Sequence, residues 1–112
     1  MKDHRFESCL YTIKIIKMEL PVKYSKLDWT KGEKILVREK YIELQNGLCY
    51  YCKQSLVKAP PKSITDKVIN WNLFPKNFLK YPIHLQHNHN TDMTEGAVHA
   101  YCNAVLWQYE GR

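Results

Sequence analysis

Two pairs of residues with the spacing of metal ligands lie far apart in this chain. Cys49 and Cys52 stand in the segment LCYYC, and His99 and Cys102 stand in HAYC. A gap of two residues lets both side chains of a pair turn onto one ion, and Cys and His are the preferred ligands of zinc. The two pairs together therefore predict a Cys3His zinc site that ties two distant segments to each other.

Other interpretations of these residues stay open. The thiols could be redox-active or simply buried, and Cys9 is an alternative fourth ligand in place of His99.

The first stretch, MKDHRFESCLYTIKIIKMEL, is interrupted by charge, so it resembles neither a signal peptide nor a membrane span. We therefore expect a cytoplasmic protein whose cysteines are reduced or bind metal, with no membrane partner.

The size of the chain favours a single domain that gains stability from a metal. With 112 residues, of which 45% are hydrophobic, the core is thin. The predicted domain covers residues 1–112, with a basic N-terminal part at 1–47 and a zinc-binding core at 48–110.

Positive charge is concentrated in the first part of the chain. The net charge is +6, and residues 1–67 hold 14 Lys and Arg against 8 Asp and Glu, whereas residues 68–112 hold 3 against 3. This asymmetry fits attraction to a nucleic acid, and it fits equally a basic surface with no such partner.

The N-terminal part is predicted to contain short strands followed by a helix. The segment SCLYTIKIIKMEL is rich in β-branched and aromatic residues, which favours one or two strands. Thr30 and Glu33 have the spacing of a capping box, which predicts a helix over Lys31–Gln45. Its expected buried stripe consists of Leu36, Val37, Tyr41 and Leu44.

The C-terminal part is predicted to form two strands and a helix. Residues 53–81 contain prolines and an aromatic run, which indicates an irregular insertion. Strands are expected at Pro82–His87 and near Gly96–His99, and a helix at Ala100–Tyr109. The helix should face the body of the protein with Val105, Leu106 and Tyr109.

The segment QHNHNTDMTEGAVHAYCN, from Gln86 to Asn103, resembles the ββα-metal, or HNH, endonucleases, and it is most similar to their endonuclease VII-like branch. That branch has a pattern close to D-H-x-H-x-T-G-x-x-R-G-L-L-C-x-x-C-N, preceded by its own C-x-x-C. The register needs no gap. The matching positions here are Gln86 at the Asp, His87 and His89 at the histidines, Thr91 at the threonine, His99 and Cys102 at the C-x-x-C, and Asn103 at the asparagine.

The resemblance implies a small α+β domain, a zinc-stapled ββα-metal fold, that cleaves DNA by phosphodiester hydrolysis. His87 would be the general base that takes a proton from the attacking water. His89 would contact phosphate or position the loop. Gln86 and Asn103 would hold one catalytic divalent cation, Mg2+ or Mn2+. Lys34, Arg38 and Arg112 are the expected DNA contacts, and the resemblance suggests a phage or mobile element as the source.

The departures from the family pattern are specific. Gln86 stands where the family has a metal-binding Asp, so the cation would be held without that negative charge. His84 lies two residues earlier, on the same strand face, and could supply a ligand or support the site. Glu95 replaces the family's Arg.

Two functional hypotheses follow from this pattern. One is a metal-dependent DNA endonuclease, with nicking, double-strand cutting and a homodimer all open. The other is a zinc domain of weakened activity that binds nucleic acid or protein. Gln86, in place of the family's Asp, would indicate this loss of activity. Cleavage of plasmid DNA with added Mg2+ or Mn2+ distinguishes the two.

Overall fold

An antiparallel hairpin with a helix packed on it forms the centre of the protein. The computed structural model describes residues 19–111. Cys9 and Arg112 lie outside this range, and so do most of the residues predicted to form the short N-terminal strands. The described part is a small α+β structure with these elements: α1 (Glu33–Leu44), α2 (Lys62–Thr65), β1 (Ile83–His87), β2 (Thr94–His99) and α3 (Ala100–Glu110).

The two predicted C-terminal strands are confirmed, and they pair with each other. Ile83 lies opposite His99, and Gln86 lies opposite Gly96. The register shifts between Gln86 and His87, so that His87 pairs with Thr94. Such a bulge bends a strand and changes the direction of the side chain that follows it. β2 begins at Thr94, two residues before the predicted start, because this irregular pair extends the ladder.

Helices α1 and α3 both pack on the hairpin. The fully buried side chains at this junction include Val37 of α1, Val98 of β2, and Val105 and Leu106 of α3. Two expected core residues are instead exposed. Leu44, the last residue of α1, is 63% exposed, where the helix gives way to a turn. Tyr109 is 51% exposed, and its hydroxyl donates to the Val68 carbonyl, so the polar end of the ring satisfies a backbone group at the surface.

The start of α1 differs from the predicted capping box. A 3-10 turn at Trp29–Lys31 precedes the helix, and Gly32 at its N-cap has a φ of 74°, which glycine adopts without a Cβ clash. The side chain of Glu33 reaches back to the backbone N–H of Asp28 at 2.9 Å instead of that of Thr30. The helix therefore begins at Glu33, two residues later than predicted, because the chain first completes this tight turn.

The segment before α1 docks against the turn of the hairpin. Val22 and Thr94 exchange hydrogen bonds, with the Thr94 N–H donating to the Val22 carbonyl and the Val22 N–H donating to the Thr94 hydroxyl. The Tyr24 N–H donates to the Asp92 carbonyl at 2.7 Å. These contacts bring Tyr24 to the end of β1.

The predicted insertion is irregular, as expected, and it packs through its aromatic residues. It contains α2 and two 3-10 turns, Trp71–Leu73 and Phe78–Lys80. Phe74 lies edge-on to Trp107 of α3 with centroids 5.5 Å apart, and Trp71 lies edge-on to Tyr101 at 5.1 Å. Phe74 and Trp107 of this cluster line the cleft described below.

Within residues 19–111, no helix has the length and the apolar character needed to cross a membrane.

Candidate metal centre and the adjoining cleft

The four residues predicted to bind zinc converge on one point. The ligand atoms of Cys49, Cys52, His99 and Cys102 all lie within 4.8 Å of one another. The Nδ1 atom of His99 is 3.4 Å from the Cys52 sulfur and 3.7 Å from the Cys102 sulfur. In a tetrahedral zinc site with the usual bond lengths, neighbouring ligand atoms are about 3.5–3.8 Å apart. The group therefore has the composition and the spacing to hold a metal ion such as zinc.

A tight turn directs the first pair of sulfurs. The Cys49 sulfur accepts a hydrogen bond from the Cys52 N–H at 3.5 Å, and the Cys49 carbonyl accepts one from the Lys53 N–H at 3.0 Å. Lys53 has a φ of 65°, in the left-handed region. The second pair lies where β2 passes into α3, so His99 and Cys102 fall within the same helical turn.

Backbone carbonyls hold the imidazole of His99 in one orientation. Its Nε2 atom lies 2.9 Å from the carbonyl oxygens of both Ser55 and Lys58. Since carbonyl oxygens only accept, Nε2 carries the proton and Nδ1 presents its lone pair to the sulfurs. Metal-binding histidines commonly have their second nitrogen anchored in this way.

The three thiols perturb one another strongly. A hydrogen bond from the Cys102 thiol lowers the pKa of Cys49 to about 4. The same hydrogen bond, together with burial, raises the pKa of Cys102, and burial raises the pKa of Cys52. One thiolate therefore forms readily while its neighbours keep their protons, because three negative charges would repel one another. A divalent cation at this position would supply the opposing charge.

The Cys49–Cys52 turn is joined to the hairpin through Ala97. The side chain of Gln45 pairs with both backbone groups of Ala97, accepting from its N–H and donating to its carbonyl, each at 2.9 Å. The Tyr50 N–H donates to the same carbonyl at 2.9 Å. A Cβ on Gly96 would lie 2.7 Å from Gln45 Oε1 and 2.8 Å from Tyr50 Cβ, so this approach requires glycine.

The residues assigned to catalysis lie in a cleft lined by β1. Its volume is about 510 Å³. Four groups of side chains line it: the polar residues His84, Gln86, His87, His89 and Asn103; the cations Lys34 and Arg38; Tyr24 beside β1; and the aromatic residues Phe74, Phe78, Tyr81 and Trp107. Every candidate catalytic residue within the described range therefore lines a single cleft.

His87 is held by stacking. Its ring lies on that of Tyr24 with centroids 3.7 Å apart and an angle of 6° between the planes, and the His89 ring follows at 4.5 Å. Among residues 19–111, no hydrogen bond reaches its ring nitrogens. Burial, and next the proximity of His89, lower the pKa of His87, which keeps the imidazole neutral near neutral pH. No sequence motif around Tyr24 could have identified its stacking on His87.

Gln86 is fully buried, and its amide group is engaged. The Nε2 atom donates to the His87 carbonyl at 2.9 Å and to Glu95 Oε1 at 3.2 Å. Glu95 thus brings its carboxylate beside this amide. Both hydrogen bonds lie at the bulge that precedes His87.

His84 and Asn103 contact each other directly. The His84 Nε2 atom lies 3.0 Å from the Phe78 carbonyl, so Nε2 carries the proton. His84 Nδ1 then accepts from Asn103 Nδ2 at 3.0 Å. Burial lowers the pKa of His84, which favours the neutral ring. The sequence had placed His84 on the same strand face as Gln86, as a candidate ligand or support of the site, but had not identified its contact with Asn103.

The two candidate DNA-binding cations within the described range have different environments. Lys34 Nζ lies 4.3 Å from the centroid of the Tyr24 ring, at the side of the cleft. Arg38, an expected DNA contact, has a side chain that is only 26% exposed and that donates to the Ile83 carbonyl at 3.3 Å. Its role is therefore partly to support β1.

Comparisons with protein-family models, with curated proteins and with solved structures found no match to this chain.

Proposed function

We propose that the protein is a metal-dependent endonuclease that hydrolyses phosphodiester bonds in DNA. The observation that carries this proposal is that a neutral, stacked imidazole, His87, shares one cleft with Asn103 and with the cation Lys34. A base, an oxygen ligand for a metal and a positive charge for phosphate are the parts that such hydrolysis needs.

In the proposed reaction, His87 takes a proton from a water molecule as the water oxygen bonds to phosphorus. The bond from phosphorus to the 3′ oxygen breaks, and that oxygen acquires a proton from solvent. Stacking on Tyr24 restricts the imidazole to one orientation toward the cleft. A bound divalent cation, held in part by Asn103, would stabilise the charge on the phosphate oxygens and on the leaving oxygen.

In this proposal the Cys3His group binds structural zinc and takes no part in the chemistry. Four protein ligands would complete the tetrahedral shell of zinc, which leaves no open position for water or substrate. Cys49 and Cys102 are fully buried, which supports the same role. The zinc would hold the Cys49–Cys52 turn to the β2–α3 junction.

A second function is favoured by one observation. Among residues 19–111, no Asp or Glu lines the cleft, and Gln86 replaces the expected carboxylate. A domain of this kind would bind nucleic acid or protein without cleaving it.

Nicking of supercoiled plasmid tests the proposal. We expect wild-type protein to convert supercoiled DNA to open-circular or linear DNA with Mg2+ or Mn2+. His87→Ala should reduce the rate by at least about 100-fold, as is usual when a general base is lost.

The matched control is His89→Ala, since the His89 ring lies 4.5 Å from that of His87 but is more exposed. This variant should lose less activity, and both variants should keep their zinc and their affinity for DNA. Equal losses in the two variants would reject His87 as the base. Tight DNA binding by wild-type protein without cleavage under any divalent metal would favour the second function.

A further inference from the structure

Where the catalytic cation binds can be inferred from the contact between His84 and Asn103. We propose that His84 Nδ1 and Asn103 Oδ1 are protein ligands of a divalent cation in the cleft, and that the amide nitrogen of Gln86 positions His87. The role of this ion in cleavage rests on the proposed function, whereas its binding is measured separately.

The distance between the two side chains fits this assignment. His84 Nδ1 and Asn103 Nδ2 are 3.0 Å apart. Two adjacent ligands of an octahedral ion, each at about 2.1 Å, are also about 3.0 Å apart. Rotation of the Asn103 amide about its last torsion exchanges Oδ1 for Nδ2, and that torsion has two broad, nearly equivalent positions. A cation can therefore replace the N–H···N hydrogen bond without displacing α3 from β1.

The surroundings of His84 prepare its Nδ1 atom for a metal. The Phe78 carbonyl holds the proton on Nε2 at 3.0 Å, which leaves the Nδ1 lone pair directed at Asn103. The Phe78 ring packs edge-on to the imidazole, with centroids 4.7 Å apart, and limits its rotation. His99 of the Cys3His group has the same arrangement, with Nε2 on carbonyl oxygens and Nδ1 toward the other ligands.

Gln86 is bonded in a way that suits a different task. Its Nε2 atom spans the bulge, donating to the His87 carbonyl and to Glu95. These bonds hold the backbone of His87, the proposed base. A carboxylate at position 86 would provide neither donor and would face Glu95, which offers a reason for an amide at this position.

A site with an imidazole nitrogen and an amide oxygen has a distinct metal preference. Mg2+ favours oxygen ligands and loses water reluctantly, whereas Mn2+ accepts nitrogen more readily. We therefore expect Mn2+ to bind more tightly than Mg2+ and to support cleavage at lower concentration.

Electron paramagnetic resonance with Mn2+ tests the assignment independently of activity. The zinc-loaded protein should bind one Mn2+, and pulsed measurements should detect one directly coordinated 14N nucleus. His84→Ala should lose this coupling and at least about tenfold in Mn2+ affinity. His87→Ala and His89→Ala are the matched controls, and both should keep the coupling.

Three outcomes would overturn the assignment: bound Mn2+ without nitrogen coupling, loss of the coupling in His87→Ala, or unchanged Mn2+ binding in His84→Ala. Zinc content and thermal melting show whether His84→Ala folds. If it does not, the nitrogen coupling in wild-type protein and in the His87→Ala and His89→Ala variants still tests the assignment. Nitrogen-coupled Mn2+ in a protein that cleaves no DNA would support this site while rejecting the nuclease. Cleavage that depends on His87 but is unaffected in His84→Ala would support the nuclease while rejecting His84 as a ligand of its cation.

Discussion

The Cys3His group and the cleft both adjoin the same hairpin, yet they are built in different ways. In the Cys3His group, four ligand atoms from two segments already converge within 4.8 Å, and Cys49 and Cys102 are fully buried. In the cleft, His84 and Asn103 form one contact, both are half-buried, and the volume is about 510 Å³.

This difference indicates how tightly each site would hold an ion. A closed shell of four protein ligands leaves an ion little opportunity to exchange, and its binding free energy adds to folding. A site with few protein ligands keeps positions for water and substrate, as catalysis requires, but binds its ion weakly. The Cys3His group is therefore suited to stability and the cleft to chemistry.

Removing a zinc ligand should have the largest effect. Cys102→Ala leaves two thiols and one imidazole in a buried pocket, and structural zinc contributes on the order of 10 kcal/mol in small domains. We expect loss of both zinc and cooperative thermal unfolding, measured by elemental analysis and circular dichroism. Cys9→Ser is the control and should keep its zinc. Loss of zinc in Cys9→Ser but not in His99→Ala would identify Cys9 as the fourth ligand.

Brief treatment with a chelator should separate the two sites by their rates of exchange. EDTA should stop cleavage within the mixing time, because the ion in the open cleft exchanges freely. Zinc should remain bound over the same interval, and added Mn2+ should restore activity. Simultaneous loss of zinc and activity, with no recovery on adding Mn2+, would contradict the contrast between an open and a closed site.

A substitution at Gly96 should disturb the packing beside the Cys3His group. The Cβ of Gly96→Ala would meet Gln45 and Tyr50 at 2.7–2.8 Å, and overpacking of this kind costs about 1–3 kcal/mol. We expect a lower melting temperature and faster transfer of zinc to a chromogenic chelator. Gly111→Ala is the control: it has a positive φ but no atoms within 4 Å, so it tests backbone strain alone. A larger loss at Gly111 would refute the steric explanation.

The smallest effect is expected from a single cation at the cleft. Lys34→Ala should weaken DNA binding and reduce the slope of log K against log salt by about 0.9, the value for one phosphate contact. Lys62, an exposed residue of α2 that does not line the cleft, provides the control. Fluorescence anisotropy over a range of salt concentrations measures both slopes. Equal slopes for Lys34→Ala and wild type would remove the cleft from the DNA-binding surface.

Local patterns in the sequence were sufficient for α1, the two hairpin strands and α3, and for the four residues of the Cys3His group. The C-x-x-C and H-x-x-C pairs place their ligands through short turns, and the strands and α3 follow from runs of residues with one periodicity. The errors in local structure occurred where elements begin or end: α1 starts after an unforeseen 3-10 turn, and Leu44 and Tyr109 are exposed near helix ends.

Contacts between segments distant in the sequence were decided only by the tertiary structure. Tyr24 stacks on His87 across 63 positions, Gln45 pairs with the backbone of Ala97 across 52, and His84 meets Asn103 across 19. None of these pairs has a spacing rule, because each depends on how the chain packs around the hairpin. Periodicity and short motifs determine which side chains a segment offers to a face, whereas packing determines which side chains meet.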